Sequence, residues 1–582
     1  SDKILDHKSN NFLAALCFPS SGLTGLALLD ASTGEFFVAE GNADYIDKLL
    51  QSFNPSEVLM TRKDVPDFKD KFGSRFYTYP IDEWVFQMQF AEETLLKQFG
   101  TLSLKGFGIH EMTSAVIAAG AALHYVQQTQ LTSLSHIQSV SRIEEDKFVW
   151  LDRFTIRNLE LVSSPHDKAT TLLDVVDFTV SPMGSRLLRR WLLMPLKDLA
   201  VITDRHDIVS LFVNEMTLAE EVEKHLKQVG DFERLASRIA IRKLTPREAV
   251  QLRRGIHALQ PLRTVCLESN HPALIKSADL INPCLQLLEL LDRSLADDAP
   301  AVVAKGGIIK ERYSAELDDL RAIAYEGKDY LLKIQREEIE RTGITSLKIA
   351  YNNVFGYYIE VTNTHKHKVP EGWVRKQTLA NAERYITEEL KQYEEKILGA
   401  EGKIQVIEEQ LYSELLSTMA EYIPALQQNA NQLARLDCLR SFAKGAVVNN
   451  YVRPVMNEGL AINIKQGRHP VLEKQLPLGD SYIPNDVFLD DEEQQIIMIT
   501  GPNMAGKSAL LRQTALIVLL AQIGAFVPAE SAEIGWVDKI FTRVGASDNI
   551  SQGESTFMVE MNEAASILNN LSDRSLILFD EL

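Results

Sequence analysis

The chain has 582 residues, 45% hydrophobic and 24% charged, which excludes a broadly disordered polymer and, at roughly 150 residues per domain, implies about three to five domains. Its 61 Lys and Arg stand against 80 Asp and Glu, a net charge of −19 that excludes a uniformly basic nucleic-acid coat; any DNA contact must come from a local basic patch. Cys17, Cys266, Cys284 and Cys438 lie far apart with no CxxC pair, so neither a disulfide framework nor a zinc finger is expected, and reduced cytosolic thiols are the plain reading. No apolar run reaches membrane-spanning length (Ala515–Ala521 breaks at Gln522) and no signal peptide opens the chain, so the expected location is cytoplasmic, with no membrane.

Residues 1–125 alternate strand and helix signals. Phe12–Phe18 and Leu23–Leu29 read as strands, Ala31-Ser32-Thr33-Gly34 as a turn, and Glu35–Glu40 as a third strand. Tyr45–Phe53 reads as a helix and Glu57–Thr61 as a further strand, which makes a small α/β domain. Asp30, Glu35 and Asp44 are turn carboxylates, expected to be solvated rather than to form a nuclease centre. From 126 to about 312 the pattern turns almost wholly helical, with leucine-rich amphipathic stretches. Ser181–Leu196, SPMGSRLLRRWLLMPL, opens on Ser-Pro and closes on Pro; it is expected to be a helix packed in a bundle.

Two long helices then flank a short β segment. On the second, Ile386, Leu390, Tyr393, Ile397, Ala400, Ile404, Ile407 and Leu411 step by four and three, a heptad seam. Tyr313, Leu317, Leu320, Ala324, Leu331 and Ile334 keep the same register on the first. An antiparallel pair buries both seams, and an arm of about thirty residues reaches about 45 Å. The helical core and levers are thus placed at 126–344 and 389–447. The insert at 345–388 carries strand signals, clearest in Gly356–Val361. Around it Arg341, Lys348, Lys366, Lys368, Arg375 and Lys376 face only Glu360 and Glu371. Such a positive stretch at the end of an arm suits phosphate-backbone contact; a solvated loop is the bland alternative. His365 and His367 have no third ligand candidate nearby, so a metal site is not expected.

Past Val448 strands and helices alternate again, with several glycines. Gly501-Pro502-Asn503-Met504-Ala505-Gly506-Lys507-Ser508 is GxxxxGK[ST], a phosphate-binding loop. Ile496–Thr500 is expected as the buried strand leading in and Ala509–Leu520 as the helix leading out. The glycines let backbone N–H groups turn toward phosphate oxygens, Lys507 reaches the β- and γ-phosphates, and the Ser508 hydroxyl binds Mg²⁺. A second apolar strand, Ser575–Phe579, ends in Asp580-Glu581. Asp580 is expected to hold Mg²⁺ through water and Glu581 to polarise the attacking water as general base. ATP or GTP binding follows. Ser555 and Thr556 precede a helix at Phe557–Leu571. They read either as its N-cap or as a contact to a γ-phosphate held by another subunit.

Taken in order, TVSPMGSRLLRRWLLMPL (Thr179–Leu196), FGYYIEV (Phe355–Val361), RKQTLANAERYI (Arg375–Ile386), GRHPVLE (Gly467–Glu473), TGPNMAGKS (Thr500–Ser508), GESTFMVEMNE (Gly553–Glu563) and LILFDEL (Leu576–Leu582) closely resemble the MutS family of bacterial DNA mismatch-recognition ATPases. The resemblance spans most of the chain. It implies a multidomain α and α/β protein: an RNase H-like connector (1–125) without nuclease activity, an all-helical core with coiled-coil levers, a small β clamp (345–388) and an ABC-type phosphate-loop ATPase domain (448–582). It further implies that Tyr482 and Ile483 pack on adenine, that Arg375, Lys376, Gln377, Thr378 and Asn381 face the DNA backbone, and that Ser555 and Thr556 form a signature acting in trans. ATP or ADP with Mg²⁺, mismatched or looped double-stranded DNA, a homodimer, and a MutL-like repair partner meeting connector and core are the implied ligands and partners. Ala380 stands where some relatives are basic and Ala509 where many have Thr. ATP binding and hydrolysis are then coupled to clamp closure and repair signalling.

The first residue is Ser rather than Met, and the chain stops directly after the second acidic motif, where a parallel sheet needs further strands. It is therefore expected to be cut at both ends, without the family's mismatch-reading domain and the end of the ATPase, and to be a poorly active ATPase by itself. Phe90-Ala91-Glu92 matches the letters of that domain's Phe-x-Glu wedge but sits in a helical stretch, and is read as chance. The rival readings are a mismatch-domain-less relative that clamps branched recombination DNA, and an SMC-like tether, which would have much longer arms.

Overall fold

The computed structural model describes residues 6–20, 22–130, 134–164, 169–352, 354, 356–477, 479–502, 505–544, 561, 564–565 and 567–580. They divide into two compact units. One comprises residues of 1–243, 254–284 and 422–582, the other those of 244–253 and 285–421.

The first unit begins with a six-stranded mixed sheet built from β1 (Leu13–Cys17), β2 (Thr24–Asp30), β3 (Glu35–Gly41), β4 (Glu57–Thr61), β5 (Thr78–Ile81) and β6 (Ser141–Arg142), in the order β5-β4-β1-β2-β3-β6. β1, β2 and β3 are antiparallel neighbours, while β4, β5 and β6 each join in parallel. Alternation sorts the side chains. Leu13, Ala15, Ala27, Leu29 and Val38 share one apolar core with helices α2 (Met88–Phe99) and α3 (Thr113–Gln130). The intervening Ala14, Leu16, Leu26 and Leu28 are also fully buried, and α1 (Ala43–Phe53) packs on β2 and β3. Residue 125 falls inside α3, and β6 adds a strand beyond it. Asp30 corrects an expectation: it is buried rather than solvated. Its carboxylate accepts from Asn10 Nδ2 (2.9 Å), Asn11 N (3.1 Å), and Ser32 N and Oγ (2.9 and 2.7 Å), so the turn itself consumes its charge. Glu35 is likewise engaged, pairing with Arg190, while Asp44 is exposed. Phe90 packs edge-on against Trp84 and His124, a structural role.

The helical stretch that follows also holds a two-residue strand, β7 (Trp150–Leu151), which corrects the almost wholly helical reading. In α4 (Pro182–Leu193), Ser181 caps the N-terminus by accepting from Gly184 N, and Pro182 supplies the preset first-turn φ. Asp437 secures this cap from below, accepting from Ser181 Oγ (2.6 Å), Ser181 N (2.8 Å) and Val180 N (3.1 Å). The arginines of this region are internal. Arg186 is 2% exposed and forks onto Asp231 (2.9 and 2.8 Å), with Glu233 at 2.6 Å. Arg440 pairs with Glu223 at 2.6 Å. Arg205, on α5 (Leu199–Asn214), lies 3.5 Å over the Trp191 ring and donates to Ile523 O.

The second unit contains the long pair α6 (Ala315–Thr342) and α7 (Glu388–Glu421), joined through a sheet of β8 (Lys348–Asn352), β9 (Gly356–Thr362), β10 (Val374–Thr378) and β11 (Ala382–Ile386). Tyr330 stacks on Tyr393, and Arg321 meets Glu408, so the helices run antiparallel. Leu317, Ala324, Leu331 and Ile334 on one, and Leu390, Ile397 and Ala400 on the other, are buried along the seam. At 34 residues α7 is about 51 Å long. The seam departs from strict heptads toward its base. Ile404, Ile407 and Leu411 are half-buried, and Glu408, Tyr412, Leu415 and Met419 take the inner positions. A straight helix drifts by about 20° per heptad, and Glu408 must reach Gly307 N (2.7 Å) and Arg321 (2.6 Å). Ile386 belongs to β11 rather than to the helix.

The sheet, ordered β10-β11-β9-β8, is antiparallel throughout. Its core, with Ile359, Val361, Trp373 and Tyr385, is continuous with the seam residues Leu331, Ile334, Leu390 and Ile397. Gly356 opens β9 at φ +74°, the left-handed region that favours glycine, and a Cβ there would have to displace the Glu394 carboxylate 1.7 Å away.

Returning to the first unit, α8 (Ile423–Asn449) leads to two further sheets. One is β12 (Val455–Asn457), β13 (Ile462–Gly467), β14 (Asn485–Leu489) and β15 (Ser531–Gly535), ordered β12-β15-β13-β14. The other is parallel: β17 (Ser575–Asp580), β16 (Lys539–Val544) and the distant β7. No helix among the described residues is long and apolar enough to cross a membrane.

Candidate functional site

The phosphate-loop segment meets helix α9 (Lys507–Ile523) at Gly506, whose φ of +90° suits only glycine. No side chain caps α9, so its first-turn N–H groups remain open toward the loop, the arrangement that receives an anion. Lys507 Nζ donates to Gly501 O (2.6 Å) and Pro502 O (3.3 Å), which folds the loop over its own helix start. Ser508 follows on the first turn. These groups fit a phosphate, because the donors converge and their other partners are backbone carbonyls that a phosphate replaces.

Asp580 closes β17, opposite Val544 of β16, and is 9% exposed. Helix α9 packs against β17, the strand that ends at Asp580. Asn503, Met504, Ser555, Thr556 and Glu581 lie outside the described residues. Ile496–Thr500 is not the buried strand that its apolar run suggests. It joins no sheet, and Ile496 and Met498 are 85% and 86% exposed. Among the described residues β16 is flanked by β17 and β7, so the segment does not take a place beside it.

Tyr482 is half-buried, and its hydroxyl donates to Gln513 Oε1 on α9 at 3.0 Å; burial pushes its pKa up. Ile483 beside it is 80% exposed. Sequence reasoning passed over Gln513 and took Gln522 only as the break in an apolar run; both are buried amides of α9. Gln522 donates to Leu196 O and Val537 O (2.8 and 2.9 Å) and accepts from Val537 N (2.8 Å), which ties the end of α9 to the loop after α4. An amide inside an apolar run was the available signal, since burial demands partners for it. In GRHPVLE, His469 Nδ1 accepts from Val471 N and Leu472 N (3.2 Å each). Burial, with Arg512 nearby, lowers its pKa to about 4. Arg468 pairs with Glu473 at 2.7 Å.

The second candidate surface lies on the edge strand β10. Between Arg375 and Gln377 the register with β11 slips, and Lys376 is the extra residue of a bulge, a device that re-aims side chains. Arg375, Lys376, Thr378 and Asn381 are exposed. Arg375 keeps a 3.5 Å pair to Glu383, whereas Gln377 is half-buried and accepts from Arg384 Nη1 (2.9 Å). The hairpin tip closes through Leu379 N to Ala382 O (2.8 Å), and Asn363 ties it down by donating to Ala380 O (2.9 Å) and Asn381 O (3.1 Å). Lys348, Lys366 and Lys368 are also exposed, while Arg341 pairs with Glu338 at 2.7 Å. No group of three His, Cys, Asp or Glu side chains among the described residues could hold a metal, His365 and His367 included.

Fold and sites together define a multidomain protein of mixed α and α/β architecture. Family profiles described as MutS domain II, MutS domain III and MutS domain V match residues 11–138, 154–443 and 497–582. Proteins named DNA mismatch repair protein MutS from Parabacteroides distasonis, Bacteroides fragilis and Flavobacterium johnsoniae are 59%, 57% and 57% identical over all 582 residues, which is 67% of each of their lengths. The chain belongs to the MutS family.

Proposed function

We propose that this protein acts in DNA mismatch repair, binding mismatched or looped duplex DNA and coupling ATP binding and hydrolysis to closure on that DNA. The single observation that carries the reading is the 59% identity, over the whole chain, to a mismatch repair protein. That likeness disfavours the branched-DNA clamp. The uncapped α9 terminus beside Lys507 supports the nucleotide part, and the exposed Arg375–Lys376 bulge supports the DNA part.

ATP with Mg²⁺ supplies the phosphoanhydride whose cleavage drives the cycle. Lys507 and the first-turn N–H groups of α9 hold the β- and γ-phosphates, with Gly501 to Gly506 as the cradle. Ser508 and Asp580 hold the metal ion, and Glu581 takes a proton from the attacking water. Tyr482, fixed through Gln513, and Ile483 pack on adenine. Ser555 and Thr556 serve the site of a second copy in a homodimer. Arg375, Lys376, Thr378 and Asn381 grip backbone phosphates without reading bases, and Gln377 orders Arg384. The levers α6 and α7 relay nucleotide state to the clamp. The strand order β3-β2-β1-β4-β5, with its first three strands antiparallel and the rest parallel, supports an RNase H-like connector. The connector and core meet a MutL-like partner in the cytoplasm.

The test is ATP hydrolysis and binding to single-mismatch against matched duplex. Mismatch-dependent binding that ATP alters is expected. ATP-independent binding, equal on both duplexes and weaker than on a four-way junction, would sink the reading.

A further inference from the structure

GRHPVLE carries no phosphate ligand, yet its first residue abuts the amide that holds Tyr482. Gly467 ends β13 opposite Asn485 of β14, and a Cβ on it would lie 2.6 Å from Gln513 Nε2. Three segments therefore meet at one side chain: the end of β13, the approach to β14 at Tyr482, and helix α9.

Gln513 is fully buried, and its only side-chain hydrogen bond among the described residues is the 3.0 Å bond with Tyr482. Its Nε2 is buried without a partner. A buried amide with half its capacity unspent costs stability. An apolar side chain of equal length would fill the same space without that cost, so packing alone gives no reason for glutamine here. What glutamine adds is an acceptor for the Tyr482 hydroxyl. Tyr482 in turn makes no other side-chain hydrogen bond or ring contact among the described residues, and Ile483 beside it is exposed. A ring on such a segment loses rotamer freedom when a ligand stacks on it, and a hydroxyl tether takes that loss before the ligand arrives. Gln513 also lies six residues, about 9 Å, along α9 from Lys507. One helix thus sets the spacing between the phosphate donors and the tethered ring.

We infer that Gln513 is a positioning residue for nucleotide binding: through the Tyr482 hydroxyl it fixes the ring that packs on the base, and Gly467 keeps clear the space its amide needs. Resting on Tyr482 as the adenine contact, this gives a buried residue that touches no ligand control over affinity for the base and not for the phosphates.

Displacement of a fluorescent ATP analogue from the full chain by ATP and by tripolyphosphate, each with Mg²⁺, tests it, because tripolyphosphate has the phosphates without the base. Gln513→Met is expected to weaken ATP about three- to tenfold, to leave tripolyphosphate within about twofold, and to keep or raise the melting temperature. Tyr482→Phe removes the same bond from the other side and is expected to match it, with the double variant no weaker than either single one. Should Gln513→Met fail to fold, Tyr482→Phe decides, since it changes only the hydroxyl of a half-buried ring. Tyr482→Ala removes the ring and is expected to weaken ATP about tenfold or more. If Tyr482→Ala leaves ATP unchanged, the adenine contact fails and the positioning role falls with it. If Tyr482→Ala weakens ATP while Gln513→Met and Tyr482→Phe do not, the adenine contact stands and the positioning role alone is overturned. Equal weakening of ATP and tripolyphosphate by Gln513→Met makes Gln513 a structural residue of α9 and overturns it as well.

Discussion

The helical core and the small β sheet use the same side chains to opposite ends. In the core, Arg186, Arg205 and Arg440 are interior struts: two are met by acids at 2.6–2.9 Å, and one is sandwiched on Trp191. On the sheet, Lys376 sits on a bulge in the open, and Arg375 holds only a loose pair with Glu383. Arginine content therefore says nothing about nucleic acid until burial and counter-charges are known. The segment SPMGSRLLRRWLLMPL is more arginine-rich than the sheet, yet Arg186 and Arg190 spend their charges on acids inside the fold. Where acids are within reach, a buried cation is bound to its own chain; where they are not, it is left for phosphate.

The largest effect expected from breaking this contrast is in the core. Arg186→Ala leaves Asp231 and Glu233 facing a hole and is expected to cost about 3–5 kcal/mol, seen as a lower urea midpoint for the unit that contains α4. Lys507 stands between the two classes, half-buried but held only by carbonyl oxygens. Lys507→Ala is expected to leave the melting temperature within about 2 °C while weakening ATP at least about 100-fold, which a fluorescent-nucleotide titration reads.

A neutral buried cation precursor sharpens the contrast further. His469 and His206 both have pKa values lowered to about 4, mainly by burial. The folded state thus holds fewer protons than the unfolded chain, and stability falls as pH drops below 6.5 toward 4. Each contributes a loss of up to about 2 kcal/mol between pH 7 and pH 5. Thermal melts across that range should show it, and His469→Asn should flatten part of the slope. The smallest stability effect belongs to the sheet. Arg375→Ala with Lys376→Ala should change stability by less than about 0.5 kcal/mol, yet reduce the slope of log binding against log salt by about two. A stability loss like that of Arg186→Ala would erase the distinction.

Much of this was legible in the chain. The seam through Leu390, Ile397 and Ala400 follows from period alone, Gly356–Val361 reads as a strand, and the turn at Gly506 is written in its glycines. What escaped depends on distant partners. Trp150-Leu151 is too short to show a period and becomes a strand only by pairing with Lys539 and Ile540, about two thirds of the chain away. Ile496–Thr500 has the composition of an interior strand but pairs with no strand among the described residues. Asp30 looks like any turn acid until Asn10 and Asn11 are folded onto it. Gln513 and Gln522 become informative only once their helix is known to be buried.

The short β7 carries a practical consequence. An excised piece beginning at residue 448 would hold the phosphate loop but lose Trp150 and Leu151, baring one flank of β16. A naked parallel edge invites intermolecular strand addition. Such a piece is expected to clump on expression, and restoring residues 149–152 as a tethered peptide is the remedy to try first.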